Sequence, residues 1–409
     1  MKKIAILATM DTKDEEARYL KKLIIQNGCP ALILDCSLRA CGGREADVQV
    51  EELISKAGVT PEEFAACSKN GAITVMQNAL KAKLTELFQE GELHGVISIG
   101  GVQGTVIATA AMQTLPVGVP KYMVSTVANG NATFGPFIGV SDMAIMHSVV
   151  DISGLNYVLR KVLAEAAGAI CGMVKALRDE VPPGKVVGIT MAGVTTPCVM
   201  CLTELLKERG YETLIFHCNG VGAHVMENLV DTGDVTAVFD ISPHDITDGL
   251  NGGLMPHYSG RLRPQARLDV PTVFVPGGMD FILFNGVDKV PPEKKSRAFC
   301  EHNEIHTHVR ASREEMEAAG RFVAERLAGM HNAAVVIPNR GFSQLNCPDG
   351  ALYDPEADQG FGEAVKAGGL DVREVDAHIN ERVFAEYLLE VFLELVEPQE
   401  EAASAKRTY

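Results

Sequence analysis

The residues with the most chemical reach in this chain sit where short apolar runs end. The sharpest case is Gly95-Val-Ile-Ser-Ile-Gly-Gly-Val-Gln-Gly-Thr105, an apolar strand, a glycine turn and a helix that begins near Gln103. Gly100, Gly101 and Gly104 allow positive φ and close backbone approach, and a helix start offers unpaired N–H groups and a dipole that attract phosphate. The Thr105 hydroxyl adds a hydrogen bond or reaches a metal ion. The segment fits neither the Walker spacing with its Lys-Ser/Thr nor the full dinucleotide fingerprint, so a tight turn without a ligand stays open, as does the ligand class. After the first apolar run, Thr9, Asp11 and Thr12 offer helix caps and Lys13 a cation for an anion. A third polar turn holds Ser125, Thr126 and Asn129, with Asn131 and Thr133 behind, and faces the same ligand from a neighbouring strand. Asp142 and Asp151 are hard oxygen ligands suited to phosphate-bound Mg2+, or helix caps.

In the second half, His217, His224, His244 and His257 lie in or beside loops after strands, with Asn219, Glu227, Asp240, Asp245 and Asp248 near them. Strand ends with histidine and carboxylate are what acid–base chemistry needs, because their pKa values can be tuned toward neutrality. Asp240-Ile-Ser-Pro-His-Asp245 is the best such segment, and Asp240, His244 and Asp245 are the candidate catalytic residues; a hydrogen-bonding or surface role for the histidine is the alternative. Arg261 or Arg263 clamps an acidic substrate, or belongs to a solvated loop. His302, His306 and His308 with Glu301 and Glu304 resemble metal spacing, but His306 and His308 converge only on an extended strand, and no second pair supports zinc. Cys198-Val-Met-Cys201 reads first as buried packing at a helix start. The long loop 337–355, rich in turn residues, suits a lid or binding loop.

The elements that must position these residues alternate between β-branched runs and helical patterns, as in parallel sheets covered by helices. Strands are expected at 3–8, 31–35, 95–99, 121–124 and 144–147, then at 186–191, 212–217, 237–240, 272–276 and 333–338. Helices fall at 13–27, 72–90, 104–114, 155–178 and 379–396. The break Val181-Pro-Pro-Gly184 divides two α/β lobes, 1–182 and 183–396, each a mostly parallel sheet flanked by helices, with a flexible polar tail at 397–409. Ile99-Gly100-Gly101 and Pro276-Gly277-Gly278 occupy similar places in the two halves.

Composition agrees with this division. The 409 residues, 46% hydrophobic and 22% charged, suffice for two ordinary cores and exclude a disulfide-stapled or disordered chain. A net charge of −16 repels nucleic acid and anionic membranes and favours small molecules or proteins as partners. Ten cysteines without repeating paired spacing suit reduced thiols in a cytosol. The N-terminus lacks signal-peptide features, and uncharged runs fall short of the roughly 20 apolar residues of a membrane span. A cytoplasmic protein without a membrane segment is expected.

Thr9-Met-Asp-Thr-Lys13 with Glu15 and Glu16, Ser98-Ile-Gly-Gly-Val-Gln-Gly-Thr105 and Gly188-Ile-Thr-Met-Ala-Gly-Val-Thr-Thr-Pro197 together resemble a known family. It is the bacterial and plant family typified by the N-terminal ATP-binding inhibitory domain of the tomato mosaic virus resistance protein. The resemblance covers almost the whole chain. It implies two Rossmann-like lobes, ATP bound by the first, and a homodimer. It carries nucleotide contact to Asp11, Thr12, Lys13 and the turn Gly100, Gly101, Gln103, Gly104 and Thr105. Plant members continue into a barrel domain, so a separate barrel protein is an expected partner. The leading expectation is an ATP- and Mg2+-binding protein whose second lobe closes over the nucleotide and presents a small-molecule substrate to His244, as an ATPase, ligase or kinase. The alternative is a nucleotide-regulated protein-binding module without catalysis.

Overall fold

Ile4-Ala-Ile-Leu-Ala8 is buried at every residue, as a strand covered by helices on both faces must be. It lies inside a parallel sheet. The computed structural model describes residues 2–39, 45–130, 135–178, 184–303 and 305–406, in two units, Met1–Glu180 and Val181–Tyr409. In the first unit, β1 (Ile4–Ala8) leads to α1 (Met10–Gln26) and β2 (Ala31–Asp35). Three helices, α2 (Val50–Lys56), α3 (Pro61–Ala66) and α4 (Lys69–Gln89), precede β3 (Gly95–Gly100). Then come α5 (Val102–Met112), β4 (Lys121–Ser125), α6 (Gly135–Ile138), β5 (Ala144–His147) and α7 (Tyr157–Ala176). The order is β2-β1-β3-β4-β5 with every pair parallel. Leu7, Leu34, Met76 and Ile107 pack one face, and Ile6, Ile97, Leu163 and Ile170 the other. Strand order reverses between β1 and β3, where open α/β sheets take ligands beyond the carboxyl ends.

The second unit begins with β6 (Val186–Met191), α8 (Thr196–Glu208), β7 (Glu212–His217), α9 (Gly222–Thr232), β8 (Ala237–Asp240) and α10 (His244–Asn251). It continues through α11 (Arg263–Leu268), β9 (Thr272–Phe274), β10 (Phe281–Phe284), β11 (Phe299–Asn303) and β12 (His306–Arg310). The remainder is α12 (Arg313–Leu327), β13 (Ala333–Pro338), α13 (Pro355–Ala367), β14 (Val372–Val375) and α14 (Arg382–Lys406). A six-stranded parallel sheet runs β14-β13-β9-β8-β6-β7. Counted within each unit, both sheets run second, first, third, fourth, fifth strand, and this one adds a sixth. Its reversal lies between β6 and β8.

Several elements depart from the sequence reading. Strands β10, β12 and β11 form a small antiparallel sheet, and β14 adds an edge strand. The matching Gly-Gly turns are not equivalent: Gly100-Gly101 follows the third strand of its unit and Gly277-Gly278 follows the fourth, β9. The counterpart of the Gly100 turn is the β8 turn that carries His244. Helix α14 runs on to Lys406, through most of the segment read as a tail, where Ala, Glu and Lys favour helix. Among the described residues no helix is long and apolar enough to cross a membrane, and the nine described cysteines are free thiols.

Candidate functional site

In the first unit the two turns flanking the reversal are built differently. At the start of α1, the Met10 N–H donates to Asp35 Oδ1 at 3.2 Å and the Asp11 N–H to Ser37 Oγ at 3.0 Å. These donors are occupied, by a carboxylate among others, so this helix start is no phosphate cradle. Lys13 departs from helical geometry at φ −131°. Helix α5 begins at Gly101 without a side-chain cap, which leaves first-turn N–H groups without an intrahelical partner. None of Gly100, Gly101 and Gly104 adopts positive φ. Gly100 is needed for packing instead, since a Cβ there would lie 3.0 Å from Gly104 Cα. At Gly101 the nearest atom to a Cβ would be Thr126 Oγ1 at 3.7 Å, an ordinary contact.

A cavity of about 740 Å3 opens at the reversal, lined by Asp11 from the β1 turn and Gln103 from the β3 turn. Arg39, Phe64, Cys67 and Lys69 are among the residues that form the rest of its wall. Sequence reading missed Arg39 and Lys69, which belong to no motif; the helical excursion between β2 and β3 brings Lys69 there. Thr12 is exposed, its hydroxyl 3.1 Å from Thr9 Oγ1. Thr105 and Ser125 turn inward. Both are fully buried, with their hydroxyls 2.7 Å apart and Thr105 Oγ1 donating to Gly101 O at 2.8 Å, so they brace the turn against β4. Thr126 is half-buried beside Gly101, Asn129 is exposed, and Asn131 and Thr133 lie outside the described residues.

Asp142 corrects the magnesium expectation. Its Oδ1 accepts from Lys121 Nζ at 2.6 Å and its Oδ2 from Gly118 N–H at 2.7 Å. Both Lys121 and Asp142 lie at the amino ends of β4 and β5, opposite the ligand edge, and burial lowers the Lys121 pKa against the pull of Asp142. Asp151 does not cap α7; Asn156 does, accepting from the N–H groups of Val158 and Leu159 at 3.0 and 2.9 Å.

In the second unit, fully buried Arg261 gathers the carboxylates of the β8 turn. It reaches Asp240 at 2.7 Å, Asp245 at 3.0 Å and Glu227 at 2.6 Å. Thr190 Oγ1 donates to Asp240 at 2.8 Å, the Cys218 thiol to Asp245 at 3.2 Å, and Tyr258 to Glu227. Burial pushes Asp240 and Glu227 above the ordinary carboxylate range against Arg261, while burial of Arg261 is outweighed by its three partners, which hold it charged. Asp240 and Asp245 are therefore framework groups here, not free acids or bases, and Arg261 is not an exposed substrate clamp. His224 stacks on Tyr258 at 3.9 Å and His257 packs on Phe322 at 4.8 Å, with burial lowering both pKa values.

His244 differs from these. It is 4% exposed, and among the described residues neither ring nitrogen has a hydrogen-bond partner. Its Nε2 lies 3.7 Å from Asp248 Oδ2, which accepts from the Met255 N–H at 2.9 Å, while Asp248 Oδ1 accepts from the Leu283 N–H at 2.8 Å. His244 opens on a cavity of about 430 Å3 that His217, His306 and His308 also line. His306 and His308 stand two apart on β12, the spacing that puts strand side chains on one face. Among the described residues no group of three or more His, Cys, Asp or Glu is arranged to hold a metal ion. The 337–355 loop is tied down rather than lid-like: Gln344 N–H donates to Val194 O at 3.0 Å, Ser343 Oγ to Asp280 at 2.8 Å and Asn346 to Asp358 at 2.8 Å.

Two family descriptions match this chain: Uncharacterised protein family (UPF0261) N-terminal domain over residues 2–179, and its C-terminal domain over 184–396. A UPF0261 protein of Clostridium tetani is 33% identical over 403 residues, 97% of this chain and 99% of that protein. One from Rhizobium meliloti is 35% identical, covering 97% of this chain and all of its own length. The ToMV resistance protein Tm-1(GCR237) of Solanum lycopersicum is 37% identical over 336 residues, 79% of this chain but 44% of the tomato protein.

Proposed function

Because the chain belongs to the UPF0261 family and is similar to the tomato resistance protein, we propose that its first unit binds ATP with Mg2+ in the cavity at the β1–β3 reversal. The carrying observation is that one cavity of about 740 Å3 joins the two turns flanking that reversal and adds Arg39 and Lys69 as cations. Its size suits a cofactor-sized ligand. The uncapped start of α5 offers N–H groups to phosphate, and the bare Gly101 leaves the backbone accessible. Asp11 is the carboxylate lining the cavity and suits phosphate-bound Mg2+ better than Asp142, which is engaged elsewhere.

A nucleotide-regulated binding module is the second reading, favoured by the ion pairs that engage Asp240 and Asp245 with Arg261, two of the three candidate catalytic groups. Thermal unfolding tests nucleotide binding. ATP with Mg2+ at a hundredfold its Kd should add about 2.7 kcal/mol, which is roughly 5–10 °C for a unit of this size. Gly101→Val should fold and lose this response, since a Cβ there meets no closer neighbour than 3.7 Å while its branches cover the helix start. Equal shifts in both proteins would remove the nucleotide from this turn. Phosphate release by the wild type separates the readings: turnover supports an enzyme, and binding without turnover supports the module.

A further inference from the structure

Beyond the nucleotide reading, the second unit holds a cavity whose polar wall is almost wholly imidazole. His217, His244, His306 and His308 line it, with Gln344 at an exposed position. Its apolar wall includes Val194, Phe281, Leu283 and Leu345. No lysine, arginine, aspartate or glutamate lines it among the described residues. It sits at the β6–β8 reversal, the ligand position of this sheet type. His244 is nine-tenths buried there with both ring nitrogens unpartnered among the described residues. A buried polar group without a partner costs free energy that a ligand can restore.

We infer that this cavity binds a small organic carboxylate with an apolar body, with His244 donating to its carboxylate. In every protonation state an imidazole carries at least one N–H, so His244, with neither ring nitrogen engaged, always offers a donor. A carboxylate is a compact group that accepts from several donors at once. An ammonium group offers donors alone and would find acceptors on the neutral rings and Gln344 only. Asp248 Oδ2 lies 3.7 Å from His244 Nε2, beyond hydrogen-bond distance, so it does not take up that nitrogen. Phe281 holds the arrangement, lying 5.7 Å from the His244 ring centre and 4.5 Å from that of His308. It also offers the ligand body an aromatic surface.

Titration calorimetry and histidine-ring NMR of the full chain would use benzoate, benzyl alcohol and benzylamine as probes. Benzoate should bind saturably, shift a ring resonance that is absent in His244→Phe, and bind more tightly than either analogue. Loss of one charge-assisted bond predicts binding weakened roughly 10- to 100-fold in His244→Phe. Gln344→Trp, at an exposed position where folding is not at stake, should block entry and weaken binding as strongly. Benzoate binding unaffected by both variants, absence of saturable binding to the wild type, or tighter binding of benzylamine would each overturn the inference.

Discussion

Asp280 shows how far burial can move one side chain here. It is fully buried beneath the 337–355 loop, where Ser343 Oγ donates to it, and burial pushes its pKa up to about 7 against the opposing pull of Arg310. The unfolded carboxyl titrates near 3.9, so between about pH 4 and 7 the folded chain keeps a proton that the unfolded chain releases. Stability from this group therefore falls as pH rises through that window, by up to about 4 kcal/mol. Asp280→Asn fixes the neutral form with little change of shape. It should melt well above the wild type at pH 8 and by a margin that shrinks steadily toward pH 4, where the two converge; equal melting temperatures at pH 8 would refute the shift. Residue types gave fair warning of His244, since a histidine after a strand in such a sheet faces the ligand edge. They gave none of the Arg261 cluster, whose partners Glu227, Asp240 and Asp245 lie 34, 21 and 16 positions away and meet only through the fold.

At the scale of elements, the turn after β3 is legible as strand, glycine and helix because its pieces are local. What its hydroxyls do is set by β4. Thr105 pairs with Ser125 across 20 positions, a contact that strand pairing creates and no motif announces. Thr105→Val should accordingly cost about 1–3 kcal/mol, because Ser125 loses its buried partner, while the stabilisation by ATP and Mg2+ stays as large as in the wild type. A mutant of unchanged stability that no longer responds to ATP would show that Thr105 touches the ligand after all. The antiparallel β10–β12–β11 sheet escaped the sequence reading for a related reason. Phe299-Cys-Glu-His-Asn303 lacks a sustained β-branched run, and β14, Val372-Arg-Glu-Val375, carries two charges in four residues. Such strands are defined by their neighbours. Once β12 is recognised as extended, the spacing of His306 and His308 acquires its meaning.

For the whole molecule, two units with the same inner strand order carry unlike ligand edges: an uncapped helix start with cations in one, a histidine-walled cavity in the other. The shared order was hidden in the sequence because the two Gly-Gly turns suggested a different alignment of the halves. The family resemblance adds an expectation of a homodimer, and the first unit has an edge that suits one. Strand β5 ends its sheet and is followed by Val149, which is 63% exposed with φ 64°. A β-branched residue in that region is strained, by an amount of order 1–3 kcal/mol, and the Ser148 hydroxyl donating to Val150 O at 2.6 Å supports the turn. Tyr157, at the start of α7, is 69% exposed. A large exposed apolar side chain just past an open strand edge is costly to leave in water and is the kind of surface that a second copy covers. We propose that this edge forms the dimer contact. Light scattering should then give twice the 43.9 kDa chain mass at micromolar concentration, and Val149→Asp should give a single chain mass with the ATP response intact. A wild type of single mass would end the dimer proposal, and a dimeric Val149→Asp would move the contact to another surface.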